Sequence, residues 1–240
     1  MNIAFKTTLT LITGISMLAL ASCKPGCLKG SGNVVTENRK VTNFSKLDIS
    51  GDFNISLTQD SSLNVSVAGD DNLVKNVTTK VNGEVLTIKS EKSVCEGSTI
   101  TVSIGVKKLE ELKASGAVNI GTKGKLITQN FDLDLAGASK INMELDAANL
   151  TTTSTGATEV DLKGQASTFT ANFEGGGKLQ AFDFIVGNYN LQSSGAGDFE
   201  INVLHELTVN TTGASTIKYK GNPTTINNKK SGVSTLTKVN

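Results

Sequence analysis

Acid–base and nucleophilic catalysis needs titratable side chains that converge, and this chain has few of the right kind. It has one histidine, His205, in "VLHEL", so any Ser/His/Asp or Cys/His site would have to be built around it. His205 falls between two repeats, and we read it as a wall or loop residue without catalytic role. Carboxylates come in pairs in "FDLDL", Asp132 and Asp134, and in "GDD", Asp70 and Asp71. Asp132 and Asp134 share the outward parity of one strand, which suits either a solvated face or a wall turned toward a glycan or Ca²⁺. One histidine and scattered cysteines offer no zinc-ligand spacing. Repeat-type calcium binding needs Asp at a fixed place in consecutive copies, and only Asp198 falls in the motif described below. The expectation is a non-enzyme with no catalytic, cofactor-binding or metal residues.

The cysteines carry a different chemistry. Asn2 to Lys6 holds one positive charge and Thr8 to Ala21 is apolar or small, the layout of a targeting segment too short to span a bilayer as a mature helix. The segment ends in "LASC", Leu20 to Cys23, which resembles a bacterial lipoprotein cleavage box. Residues 1–22 are accordingly read as signal peptide and Cys23 as the lipidated N-terminus, whereas ordinary cleavage after Ala21 or Ser22 would leave Cys23 an idle thiol. Lys24 is not acidic and no acidic run follows, so the expected place is the outer membrane, facing the periplasm. Cys27 and Cys95 then remain as an even pair in an exported protein. They either bridge, tying the leader at residues 23–40 to the first strands, or stay as two thiols.

The elements that would position any such group are strands. At 240 residues and 38% hydrophobic the chain can bury a real core, and its 24 glycines, 2 prolines and frequent Thr, Ser, Asn, Val and Ile favour short strands and turns. The 23 basic and 22 acidic residues give a net charge of +1 without asymmetry, so electrostatics points to no nucleic acid. With no Trp, two Tyr and nine Phe, the chain has little from which to build aromatic sugar platforms.

A motif organises the second half: "SGAVNI", "AGASKI", "TGATEV", "GGGKL", "SGAGDF", "TGASTI" and "SGVSTL". Their first glycines, Gly116, Gly137, Gly156, Gly175, Gly195, Gly213 and Gly232, are 21, 19, 19, 20, 18 and 19 residues apart, a true repeat. Four residues on stand Ile120, Ile141, Val160, Leu179, Phe199, Ile217 and Leu236; six residues before the later glycines stand Phe131, Leu150, Phe169, Tyr189, Leu207 and Ile226. Both columns share the glycine's parity and read as core. Each Gly-Ala pair is expected at a tight spot where only small side chains fit, so that Ala157→Leu would overpack. Three residues after the glycine, Lys140, Glu159, Lys178 and Asp198 alternate in sign and should pair between neighbouring copies. Ser154, Ser193 and Thr211, two before it, should line the interior as a ladder.

Stacked copies can bury what one copy cannot, which predicts a parallel β-solenoid, right-handed by the crossover rule, over residues 111–240. Residues 41–110 alternate as short strands, with a helical turn at Asp70 to Asn76 and a hairpin through Asn82-Gly83, and are expected to form a β-meander cap. An eighth copy, "SGDFNI" around Gly51, lies 65 residues upstream of Gly116.

The run "CLKGSGNVVTENRKVTNFSKLDISGDFNISLTQ", Cys27 to Gln59, followed by the Gly-Ala repeats, resembles the bacterial envelope proteins of the head GIN domain family, many of them lipoproteins. The resemblance covers nearly the whole mature chain and implies a single β domain at residues 41–240, a parallel β-solenoid fold and an adhesin-like envelope role. The expected function is a non-catalytic, lipid-anchored surface for an envelope protein or glycan. The alternative is a β-helix enzyme acting on polysaccharide through Asp132 and Asp134 or Glu174. Replacing Cys23 by Ala should move the protein from the membrane fraction to the soluble periplasm; a variant that stays membrane-bound, with a wild type that takes up no labelled fatty acid, contradicts the anchor.

Overall fold

The computed structural model describes residues 26–240; residues 1–22 and Cys23 lie outside the described residues. It is all-β, 80% strand, in one mixed parallel and antiparallel sheet with a nearly closed, barrel-like form. In chain order the elements are β1 (Val34–Lys40), β2 (Lys46–Gln59), β3 (Asn64–Asp70), α1 (Asp71–Val74), β4 (Val77–Asn82), β5 (Val85–Ser90), β6 (Thr101–Val106), β7 (Glu111–Lys220) and β8 (Thr225–Lys238). The short helix and the β4–β5 hairpin lie where the sequence places them, with Asn82 opposite Val85 and Gly83 at φ 59° in the turn.

β7 runs through 110 residues because its pairing continues through the glycine positions. At Gly137 and Gly156 φ is +91° and +115°, a region costly for any residue with a Cβ. The missing side chain would point neither inward nor outward: a Cβ on Gly137 would stand 2.7 Å from the carbonyl oxygen of Gly116, and one on Gly156 2.6 Å from that of Gly137. Successive glycines therefore lie backbone to backbone, and Gly51 heads the column, paired with Gly116 in a parallel register that runs from Lys46↔Glu111 to Leu57↔Thr122. β8 closes it in parallel register, Gly232 against Gly213.

The two apolar columns fill the interior: Phe131, Leu150, Phe169 and Leu207, with Ile141, Val160, Leu179 and Phe199, are essentially solvent-free. Where the position two after the glycine is itself glycine, aromatic rings take the space. A Cβ on Gly177 or Gly197 would meet Phe173 or Phe199 at 2.5 Å, and those two rings pack edge to face with centroids 5.1 Å apart. Ser154 and Thr158 hydrogen-bond within one copy, and Ser193 bonds Ser215 of a neighbouring copy at 3.2 Å. The hydroxyls of Ser139, Thr152, Thr211 and Tyr189 are buried and have no hydrogen-bond partner among the described residues. Burial alone raises the Tyr189 phenol well above its usual range.

The alanine half of the motif behaves differently from expectation. Ala117, Ala138, Ala157, Ala196 and Ala214 are exposed: they stand at outward parity, next to a left-handed glycine that is itself turned out of the core. The tight contact belongs to the glycine. The cap also departs from a meander: the order is β1-β3-β6-β2-β5-β4, and β5 and β6 run parallel to the two halves of β2. The hydrogen-bonding edge of β2 is thus covered by two segments far away in the chain, and β3, β4 and β1 cover them antiparallel. Arg39, the chain's one arginine, clamps this end: it donates to the carbonyls of Val77 at 2.7 Å and Val74 at 3.0 Å and to the Thr79 hydroxyl at 2.7 Å. Cys27 and Cys95 are bridged, and Leu28 pairs with the 93–95 segment beside them.

The far end is covered by β8 alone. Its inward positions turn polar, Asn228 and Lys230 standing where the preceding copy has Val209 and Thr211, and Ile226 is 43% exposed. A terminal copy with polar inward positions tolerates water and discourages strand addition.

Two stability predictions follow from these contacts. Gly156→Ala drives a methyl into backbone at unfavourable φ and should cost at least about 1–3 kcal/mol by chemical denaturation, whereas exposed Ala157→Leu should stay within about 0.5 kcal/mol. The Cys27–Cys95 bridge spans 68 residues, so reduction should lower the thermal midpoint, by the equivalent of about 4 kcal/mol in the chain-entropy model; equal midpoints with and without reductant would contradict it.

Candidate functional site

The glycine column shapes the outer surface as well as the core. Because the residue after each glycine is small and exposed, a trough of about 700 Å³ runs along the column from Ala138 to Thr235. Its floor is Ala157, Gly176, Ala196 and Ala214, and its rim is the charged column. In that rim Glu159 accepts from Lys140 at 3.2 Å and from Lys178 at 3.3 Å. Those two hydrogen bonds hold the Glu159 carboxyl below its usual range. Asp198 continues the column but forms no ion pair among the described residues.

A second ion-paired strip ties the cap to the repeats. Lys46 on β2 meets Glu111 on β7 at 2.9 Å, in the register that pairs the two residues. Glu111 also binds Lys113, and the two lysines lower its pKa. Lys125 binds Asp146 at 3.2 Å and Glu144 at 3.8 Å, and Lys218 binds Glu200 at 3.3 Å.

The residues whose types could do chemistry are spread over the surface. Asp134 is 3.7 Å from Lys113, which makes it a member of the ion-paired strip, and Asp132 and Glu174 are exposed. His205 is exposed, and its carbonyl accepts from the Thr224 amide at 2.8 Å, a backbone role. Asp71 accepts from the Ser31 hydroxyl at 2.6 Å and from the Asn72 amide at 2.8 Å, so in the "GDD" pair it is Asp71 that fastens the leader. Among the described residues no three His, Cys, Asp or Glu side chains are grouped as a metal site. No helix of the described residues is long and apolar enough to cross a membrane.

One surface is not singled out by motif reading: a shallow hollow of about 400 Å³ lined by Asn190, Gln192, Thr208, Asn210, Asn227 and Lys229. The signal that locates it is the outward parity of the repeat, three and five residues before each glycine, rather than the Gly-Ala motif itself.

These features define a class: an all-β repeat protein whose recurring outward columns form long surfaces around a filled interior. The profile of the family described as "Putative auto-transporter adhesin, head GIN domain" matches residues 43–223, and the chain belongs to that family. No curated protein matches it. Among solved structures it is similar to a putative adhesin from Bacteroides fragilis, with 24% identity, 88% of this chain and 100% of that one covered, and TM-score 0.78. It is likewise similar to a putative adhesin from Parabacteroides distasonis, at 21% identity, 88% and 99% coverage and TM-score 0.69. A protein of the same organism described as a putative lipid binding protein matches at 20% identity, 89% and 99% coverage and TM-score 0.60. At these identities the likeness is one of fold.

Glu159→Gln removes the charge shared by two lysines on an exposed rim and should cost under about 1 kcal/mol. Since the folded Glu159 pKa lies below its unfolded value, the wild-type advantage should be full above the unfolded pKa and vanish as pH falls through the folded one. Denaturation midpoints of the two proteins against pH test both the size and the sign.

Proposed function

We propose that this chain is a non-catalytic, lipid-anchored protein of the bacterial envelope whose repeats wind as a parallel β-solenoid and present their walls as an adhesin-like binding surface. The observation that carries the reading is the repeat register. Inward positions are used up in packing, while outward positions recur in neighbouring copies as columns that run from one copy to the next. Family membership supports the adhesin-like role, and the "LASC" box supports the anchor at Cys23. In the parallel winding, alternate backbone carbonyls of one copy meet the next copy, the glycine carbonyls among them, which explains the glycine contacts at Gly116, Gly137 and Gly156. The bridge between Cys27 and Cys95 would then transmit load from the lipid end straight into the capped end of the domain.

The test is attachment. Isolated outer membranes with both faces accessible, taken from cells carrying the full chain, should adhere to immobilised envelope material, and membranes from cells carrying Cys23→Ala should lose that adhesion because the domain is no longer held. Asp132→Asn combined with Asp134→Asn should leave adhesion unchanged. Equal adhesion with and without the chain overturns the reading. Depolymerisation of polysaccharide by the wild type, lost in the double variant, would replace it with an enzyme.

A further inference from the structure

One wall of the repeats lacks charge over several copies, and the chemistry of that wall specifies a partner. Five residues before successive glycines the outward side chains are Thr151, Thr170, Asn190, Thr208 and Asn227. Three before them they are Thr153, Asn172, Gln192 and Asn210. All nine are hydroxyls or amides. No ion pair falls at these nine positions, and charge enters the same two columns at their margins, as the ion-paired Glu111, Lys113 and Asp134 with Asp132 on one side and Lys229 on the other, while Glu174 and Glu206 stand in the adjoining columns.

The spacing is regular. Neighbouring copies pair Thr208 with Asn227 and Asn210 with Lys229, and strand geometry places such groups about 4.8 Å apart across copies and about 6.6 Å apart along a strand. The hollow of about 400 Å³ lies in the same columns. Among the described residues the amides of Asn190, Gln192 and Asn210 bond to no other side chain or backbone group, whereas the bordering column is internally paired, Asn149 to Asn130 at 2.8 Å and Thr168 to Asn149 at 2.6 Å. The wall therefore offers free donors and acceptors together.

A charged partner finds no counter-charge at these nine positions, with Lys229 lining the hollow only at the wall's end, and a typical protein partner finds no large apolar side chain or aromatic anchor among them. A neutral polyol chain matches on both counts. Each hydroxyl donates and accepts, as do the amides and hydroxyls of the wall, and no ion on either side has to be stripped of water. We propose that this wall binds a neutral polysaccharide strand through hydrogen bonds alone. The absence of a stacking ring makes each contact weak, and affinity grows with the number of copies that the strand crosses.

The test uses affinity electrophoresis of the Cys23→Ala chain, purified from the soluble periplasm, in gels containing dextran, laminarin or galactomannan, with heparin and polygalacturonate as charged comparators. Retardation is expected in at least one neutral gel and should be stronger than in either charged gel. Asn190→Asp combined with Thr170→Asp, which charges the wall at exposed or half-exposed positions, should weaken that retardation at least tenfold with an unchanged thermal midpoint, while Glu159→Gln on the trough rim should retain it. No retardation in any neutral gel, stronger retardation by the charged polymers, or a double variant that binds like the wild type each overturns the proposal. Adhesion of isolated outer membranes that survives the double variant would leave the envelope role standing and remove this wall from it.

Discussion

The contact on which the fold rests is backbone against backbone at the glycine column. A chain that returns to the same place every 18 to 21 residues must let one copy's Cα approach the previous copy's carbonyl oxygen, and here a single methyl would already collide. The positive φ at the same residues turns the chain at that point, so conformation and space make the same demand. Everything lateral to the column inherits its register: the two core columns, the Lys140–Glu159–Lys178 rim and the amide wall are all aligned because the glycines are. Side-chain packing then supplies the energy, since the inward aliphatic and aromatic rows leave water while the alternate residues stay at the surface.

The ends of such an arrangement need separate treatment, and the two ends are treated differently. At the N-terminal side β5 and β6 supply the hydrogen bonds that β2 would otherwise expose, and Arg39 and the Cys27–Cys95 bridge fasten the covering strands. At the C-terminal side β8 stays uncovered and carries Lys229, Lys230 and Lys238, with Asn228 at an inward position. One end is sealed by additional strands, the other by its own polarity.

Much of this was legible in the sequence. Period, inward columns, the Lys140–Glu159–Lys178 pairing and the hairpin at Gly83 follow from local alternation and turn chemistry, which a single chain displays openly. Ala157 is small without being crowded: it stands at outward parity one residue after Gly156, and the close backbone contact that its size suggests belongs to the glycine alone. The cap was misread because neighbours in a meander are neighbours in sequence, whereas β2 pairs with β5, β6 and β7 across long separations that no local pattern records. Ile226 occupies a core column yet is exposed, since burial depends on a following copy that β8 lacks. Surface chemistry was the least legible: the amide wall has no motif, only the lack of charge at two outward positions in copy after copy.

The central claim, that successive copies stack glycine on glycine, is tested most directly by distances between pairs of spin labels. With one label fixed at Asn119 and the second moved through Lys140, Glu159, Lys178, Asp198 and Thr216, all at the same outward position of successive copies, the separation should grow by about 5 Å per copy. A narrow distribution that steps in this way is the predicted result; distances that do not rise with copy number, or that rise by the much longer span of an unstacked strand, would contradict the account.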